Sequence, residues 1–171
     1  MLKMFRKISA VMAVALAGMV PASPASPMVG IDGRWSGWGS ITMEGGSSEQ
    51  VKCVAAYFTK EPGVTTEGGI SKGGSAGLQQ NLRCASQSFR IDAVANLNVS
   101  GNAVTGNWEE RTYAAQGSVS GRLTGAGFNL SIQGSNFSAA MMVAIAECKQ
   151  AITIVPRGFQ ISRIAISLDK C

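Results

Sequence analysis

From Trp35 onward, apolar and polar residues alternate in segments of roughly eight to twelve residues separated by turn signals. Phe89, Ile91, Ala93, Ala95, Leu97 and Val99 share one parity, and Arg90, Asp92, Asn96 and Asn98 share the other. This is the period-2 pattern of a strand with one buried face. Val104, Gly106 and Trp108 continue the apolar face after the Ser100-Gly101-Asn102 turn, opposite Thr105, Asn107 and Glu109. Val119 and Leu123 alternate with Ser118, Ser120 and Arg122; Phe128, Leu130 and Ile132 follow the turn at Thr124–Gly127, and Gly134-Ser135-Asn136 turns the chain again. The pattern predicts strands at 34–43, 49–59, 77–86, 88–99, 103–112, 115–124, 127–134, 137–146, 149–156 and 160–169.

Short connections make sequential strands antiparallel neighbours. The expected fold is therefore all-β: an antiparallel up-and-down meander of about eight to ten strands that removes its edges by closing into a barrel. In the last strand Phe159 and Ile161 lie on one parity but Ile164, Ile166 and Leu168 on the other, which a bulge near Ser162-Arg163 reconciles. Phe137–Ala146 carries helix-favouring Ala and Met, yet fits the hairpin rhythm and is read as a strand. Between strands two and three, Glu61–Gly77 is a long Gly-rich connection. Its Gly-Gly-Ile-Ser-Lys-Gly-Gly-Ser stretch lacks the order and the strand-to-helix setting of a phosphate loop, and it reads as a mobile lid or as slack.

The start of the chain sets the compartment. Lys3, Arg6 and Lys7 precede an apolar stretch at Ile8–Val20 and the small residues around Pro21-Ala22, the layout of a secretory signal over 1–22. A short N-terminal segment, 23–32, then leads into a single barrel domain, 33–171. Position 19 is Met where a lipobox needs Cys, so no stable membrane anchor is expected, and the mature protein should be periplasmic or secreted. The leader also carries three of the 15 basic residues, leaving 12 against 10 acidic ones. With so small a balance and no basic stripe, no nucleic-acid partner is expected.

In an exported chain, four cysteines imply disulfides. Cys53 and Cys84 lie on consecutive strands flanking the long connection, and pairing them places Tyr57 opposite Gln80. Cys148 and Cys171 lie at the open ends of the hairpin that turns around Arg157-Gly158. The expected bridges are Cys53–Cys84 and Cys148–Cys171.

The sequence contains no histidine. That removes imidazole bases, Ser-His-Asp and Cys-His catalysis, and imidazole metal sites. Among the carboxylates, Asp92, Glu109 and Glu147 show no pairing that favours acid/base work. Glu110 shares the parity of Trp108 and is a candidate ligand-orienting group near the barrel mouth. No catalytic residue, metal or cofactor is assigned, and the chain is not expected to be an enzyme. Trp35 and Trp38 have opposite parity, so at least one lies off the core face. The small inward positions Ala93, Ala95, Gly106, Gly121 and Ala139 either leave lumen space or interdigitate with large residues.

Ile31-Asp32-Gly33-Arg34-Trp35, opening the first strand of such a meander, resembles the Gly-x-Trp signature of lipocalins and related calycin barrels. The resemblance implies a Trp packed across a closed barrel end, here with Gly33, Trp35 and Arg163, the last taken by position as the Arg from the final strand. The layout as a whole also resembles uncharacterised exported barrel proteins of alphaproteobacteria. The leading expectation is a non-enzymatic carrier of a small apolar or amphipathic ligand, with Trp35, Tyr57, Trp108 and Glu110 as binding candidates. The alternative is a filled-barrel envelope interaction or inhibitor protein that works through its surface, with an envelope protein as partner.

Overall fold

A computed structural model describes residues 30–60, 65–67, 70–72 and 75–171. The expected leader, 1–22, and all but the last three residues of the 23–32 segment lie outside the described residues. The elements are β1 (Gly33–Met43), β2 (Ser48–Lys60), β3 (Thr65–Glu67), β4 (Ile70–Lys72), β5 (Ala76–Ala85), β6 (Arg90–Ser100), β7 (Ala103–Glu110), β8 (Ala115–Thr124), β9 (Gly127–Gly134), β10 (Ser138–Ala146), β11 (Lys149–Arg157) and β12 (Ile161–Asp169). Ten of them form a closed antiparallel barrel in the order β1-β12-β11-β10-β9-β8-β7-β6-β5-β2. The remaining two, β3 and β4, pair only with each other, as a small hairpin within the long connection.

Closure comes from β12, which pairs with both β11 and β1, so the two C-terminal strands complete the barrel. The parity clash in β12 is resolved as its sequence requires. Thr42 faces Arg163 while Met43 faces Ile161, leaving Ser162 as the extra residue. The Ser162 hydroxyl donates to the carbonyls of Thr42 and Met43, which anchors the bulge. The ambiguous segment is a strand, β10, with Ala139, Met141 and Val143 buried inward and Met142 exposed outward.

Both cysteine pairs stand at disulfide distance with the expected connectivity. Cys53 and Cys84 are cross-strand partners on β2 and β5, their Cα atoms 4.1 Å apart. Cys148 and Cys171 lie 5.5 Å apart between the β10–β11 turn and the end of the chain. Two such bridges point to an oxidising, non-cytoplasmic compartment.

The up-and-down path gives the barrel two distinct ends. At one end are the start of β1, the β10–β11 turn, the C-terminus and the β2–β5 connection. The turns β1–β2, β5–β6, β7–β8, β9–β10 and β11–β12 crowd the other. The first end is closed. Ile31 and Trp35 are both fully buried there, and the Trp35 indole N–H donates to the Ile31 carbonyl at 2.8 Å. Gly33 opens β1 with φ at 102°, a left-handed conformation that favours glycine over any side chain.

Candidate functional site

The closed half of the interior is packed around a polar core. Tyr57 on β2 faces Gln80 on β5, as the register of the disulfide-bonded hairpin requires. The Gln80 amide donates to the Tyr57 oxygen at 2.9 Å, and the Tyr57 hydroxyl donates in turn to Gln150 Oε1 at 3.0 Å. Gln150 belongs to β11, which is not a neighbour of β2, so the second bond crosses the lumen. Burial pushes the Tyr57 phenol well above its ordinary pKa, opposed by the two glutamine hydrogen bonds. It therefore remains a neutral donor. Sequence reasoning found Tyr57 and its Gln80 partner but missed Gln150. A lone glutamine at an inward position of β11, preceding Ile152 and Ile154, was the available signal.

Toward the other end the interior opens. An apolar cavity of about 250 Å3 lies among Ile91, Trp108, Ala139, Phe159, Ile161 and Ile164, with Glu110 and Tyr113 on its wall. A second, inner cavity of about 80 Å3 extends deeper, past Ala95 and Leu97 to Gln80. The two have Leu82, Ala93, Trp108, Ile132 and Ile154 in common, so they form one lumen running from the open mouth to the polar core. Aromatic rings gather at the mouth. Trp108 meets Phe137 edge-on at 5.3 Å between centroids, and Phe137 meets Phe159 at 4.6 Å. Tyr113 and Phe159 are 65% and 48% exposed, an unusual outlay of apolar surface for a loop rim.

Each side chain singled out in the sequence has a definite place. Trp108 walls both cavities, its indole N–H satisfied by the Gln133 carbonyl at 3.2 Å. Glu110 lies beside the outer cavity, but both its oxygens are engaged. They accept from the Asp92 backbone N–H at 2.8 Å and the Tyr113 N–H at 2.7 Å, fastening the β7–β8 turn to β6. Tyr57 reaches the inner cavity only through Gln80. Trp35 is at the closed end, away from both cavities, and lines neither. Arg163 corrects an expectation. It sits opposite Thr42 near the open end and is exposed, so it does not pack on Trp35. The cation over Trp35 is Lys170, 5.6 Å from the ring centroid, with Nζ donating to the carbonyls of Gly30 and Asp32. The last strand ends at Asp169, and the residue just beyond it takes the place assigned to the strand's Arg.

The small inward residues divide into two kinds. Ala93, Ala95 and Ala139 line the lumen and leave it room. Gly106 and Gly121 instead let neighbouring strands approach closely. A Cβ at Gly121 would meet the Asn129 carbonyl oxygen and stand 2.8 Å from Leu130 Cα, and one at Gly106 would meet the Asn96 carbonyl oxygen. The Gly-rich connection leaves from the closed end, so the lumen opens away from it. Its residues 61–64, 68–69 and 73–74 lie outside those described.

Among the described residues no group of three or more His, Cys, Asp or Glu side chains gathers, and no helix is long and apolar enough to cross a membrane. No family model matches the sequence, and no curated protein matches it either.

Proposed function

We propose that this protein is a non-enzymatic carrier that holds a small apolar or amphipathic molecule in the lumen, entering at the mouth ringed by Trp108, Phe137, Phe159 and Tyr113. The observation that carries this reading is the apolar cavity open at one end of a barrel whose other end is plugged by Ile31 and Trp35. Its volume of about 250 Å3 falls just under the ~300–1,000 Å3 usual for drug-sized ligand pockets, which favours a compact or slender ligand. The buried Trp at a closed barrel end supports kinship with lipocalin-like barrels, and the disulfides together with the basic-then-apolar leader support export to the periplasm or beyond.

Ala93 offers a direct test because it lines both cavities. Ala93→Leu should lower affinity for the neutral apolar probe N-phenyl-1-naphthylamine by tenfold or more. Because the added methylenes enter existing space, stability should change by less than the ~1–3 kcal/mol of ordinary overpacking. Probe fluorescence and urea unfolding measure the two effects. Probe affinity unchanged by the substitution would place binding elsewhere and sink the reading.

A second reading rests on the outer face. Trp38 and Met142 are 60% and 55% exposed. The register sets Trp38 in a row with Ser167, Ala151 and Ala144, and Met142 in the next row with Thr153, Ala165 and Ser40. The stretch of these rows between Trp38 and Met142 is uncharged and suits an envelope protein partner; Lys52, opposite Trp38 on β2, borders it with Nζ 6.0 Å from the Trp38 ring. Capture of a partner from envelope extract by the wild type, lost in Met142→Lys, would favour this reading over the carrier.

A further inference from the structure

We propose that the lumen selects ligands with a neutral hydrogen-bonding head, an alcohol, ketone or amide at the end of an apolar body, which docks head-first against the Gln80 amide. This rests on the lumen being the binding site.

Gln80 is the only side-chain amide on the inner cavity, and the rest of that wall is apolar. Its hydrogen bond among the described residues is the donation to Tyr57, which leaves its carbonyl oxygen and second N–H unspent. The direction of that bond is fixed from the far side of the lumen. Tyr57 gives its single proton to Gln150, so toward Gln80 it acts as acceptor. Gln150 is 2% exposed, and its Nε2 has no partner among the described residues. Buried amides rarely leave bonds unmade. The Tyr57–Gln80–Gln150 cluster thus has more hydrogen-bonding capacity than its own members use, and of the three only Gln80 lines the apolar lumen, so its free carbonyl oxygen and N–H are what the floor offers a ligand.

Charge narrows the head group. No Lys or Arg lines either cavity, so a carboxylate or phosphate seated at Gln80 would be a buried anion without a counter-ion. An ammonium would meet no carboxylate at that depth, because Glu110 lies at the outer cavity and spends both oxygens on backbone N–H groups. A neutral head satisfies the amide without burying charge. It replaces at most a water, for which the inner cavity of about 80 Å3 has room.

The test is competition against N-phenyl-1-naphthylamine by octane, 1-octanol, 2-octanone, octanoate and octylammonium at neutral pH, in wild type and Gln80→Leu. The expected order puts 1-octanol and 2-octanone about tenfold ahead of octane, the scale of a hydrogen bond to a buried amide left unsatisfied, with both ions weaker than the alcohol. Gln80→Leu should erase the advantage of the alcohol and leave octane unchanged. As a readout independent of the variant's folding, the side-chain amide resonances of Gln80 should move on adding 1-octanol and stay with octane. Binding of all five with equal strength, octanoate binding best, or amide resonances indifferent to the alcohol would overturn the inference while leaving the carrier reading standing. Failure of the probe and every competitor to bind would overturn both.

Discussion

Tyr57 shows how one residue ties the interior together. Its ring is buried, and its oxygen links Gln80 on β5 to Gln150 on β11. Burial raises its pKa in the folded protein, so folding favours the protonated form. Between the unfolded and folded pKa values the native state binds the extra proton, and stability falls as pH rises. The contribution of Tyr57 is therefore whole below the ordinary phenol pKa of about 10 and is lost above it. Tyr113 is the only other tyrosine, so in Tyr113→Phe all phenolate absorbance reports Tyr57. That absorbance should rise only together with the loss of barrel circular dichroism in an alkaline titration. A phenolate forming near pH 10 with the fold intact would contradict the buried assignment. At this scale the sequence was partly legible. Tyr57 facing Gln80 follows from disulfide register, and the inward Trp108 and Glu110 follow from parity. Parity tells which face a side chain takes but not what it meets there. It left hidden that Glu110 is occupied by Asp92 and Tyr113 backbone, that Gln150 reaches Tyr57, and that Lys170 rather than Arg163 covers Trp35.

Hairpins are the unit in which the fold is written. Apart from β10, which is apolar on both faces, the barrel strands alternate apolar with polar residues, and all but one of the hairpin connections are short, which leaves antiparallel pairing of neighbours as the sole economical arrangement. That is why strand positions, the Ser162 bulge and the pairing of sequential strands follow from the pattern of Val, Ile, Ser and Asn, whereas the closure of the ring by β12 against β1 does not, since no short connection joins those two strands. What the pattern does not carry is sheet coiling. Gly106 and Gly121 read as spare lumen space from parity alone, whereas they sit where neighbouring backbones nearly touch. The placement of the 61–77 connection was available in principle, since counting alternating strands puts it beside the start of β1, at the plugged end. The two bridges act at this scale as well. Their sequence separations are 31 and 23 residues. In the chain-entropy model each stabilises by about 3–4 kcal/mol. Paired replacement Cys148→Ser/Cys171→Ser should lower the unfolding free energy by that amount in guanidinium titrations, without altering the spectrum of the folded barrel. An unchanged midpoint would mean that the C-terminus is already held by β12 pairing with β1 and β11.

At the scale of the whole molecule, the barrel is a cup rather than a tube. The plug of Ile31 and Trp35 and the Tyr57–Gln80–Gln150 cluster fill one half, and the apolar lumen occupies the other. A ten-stranded barrel is wider than the eight-stranded kind whose side chains nearly fill the interior, so leaving half of it open is geometrically natural. An empty apolar cavity forfeits the packing contacts of its lining, and a resident ligand restores them. Native mass spectrometry of the protein taken directly from its own cells shows whether this lumen is occupied. The expected result is the oxidised chain plus one small neutral molecule, released on denaturation and missing from the Ala93→Leu variant. The bare oxidised mass, unchanged even with 1-octanol in excess, would contradict it.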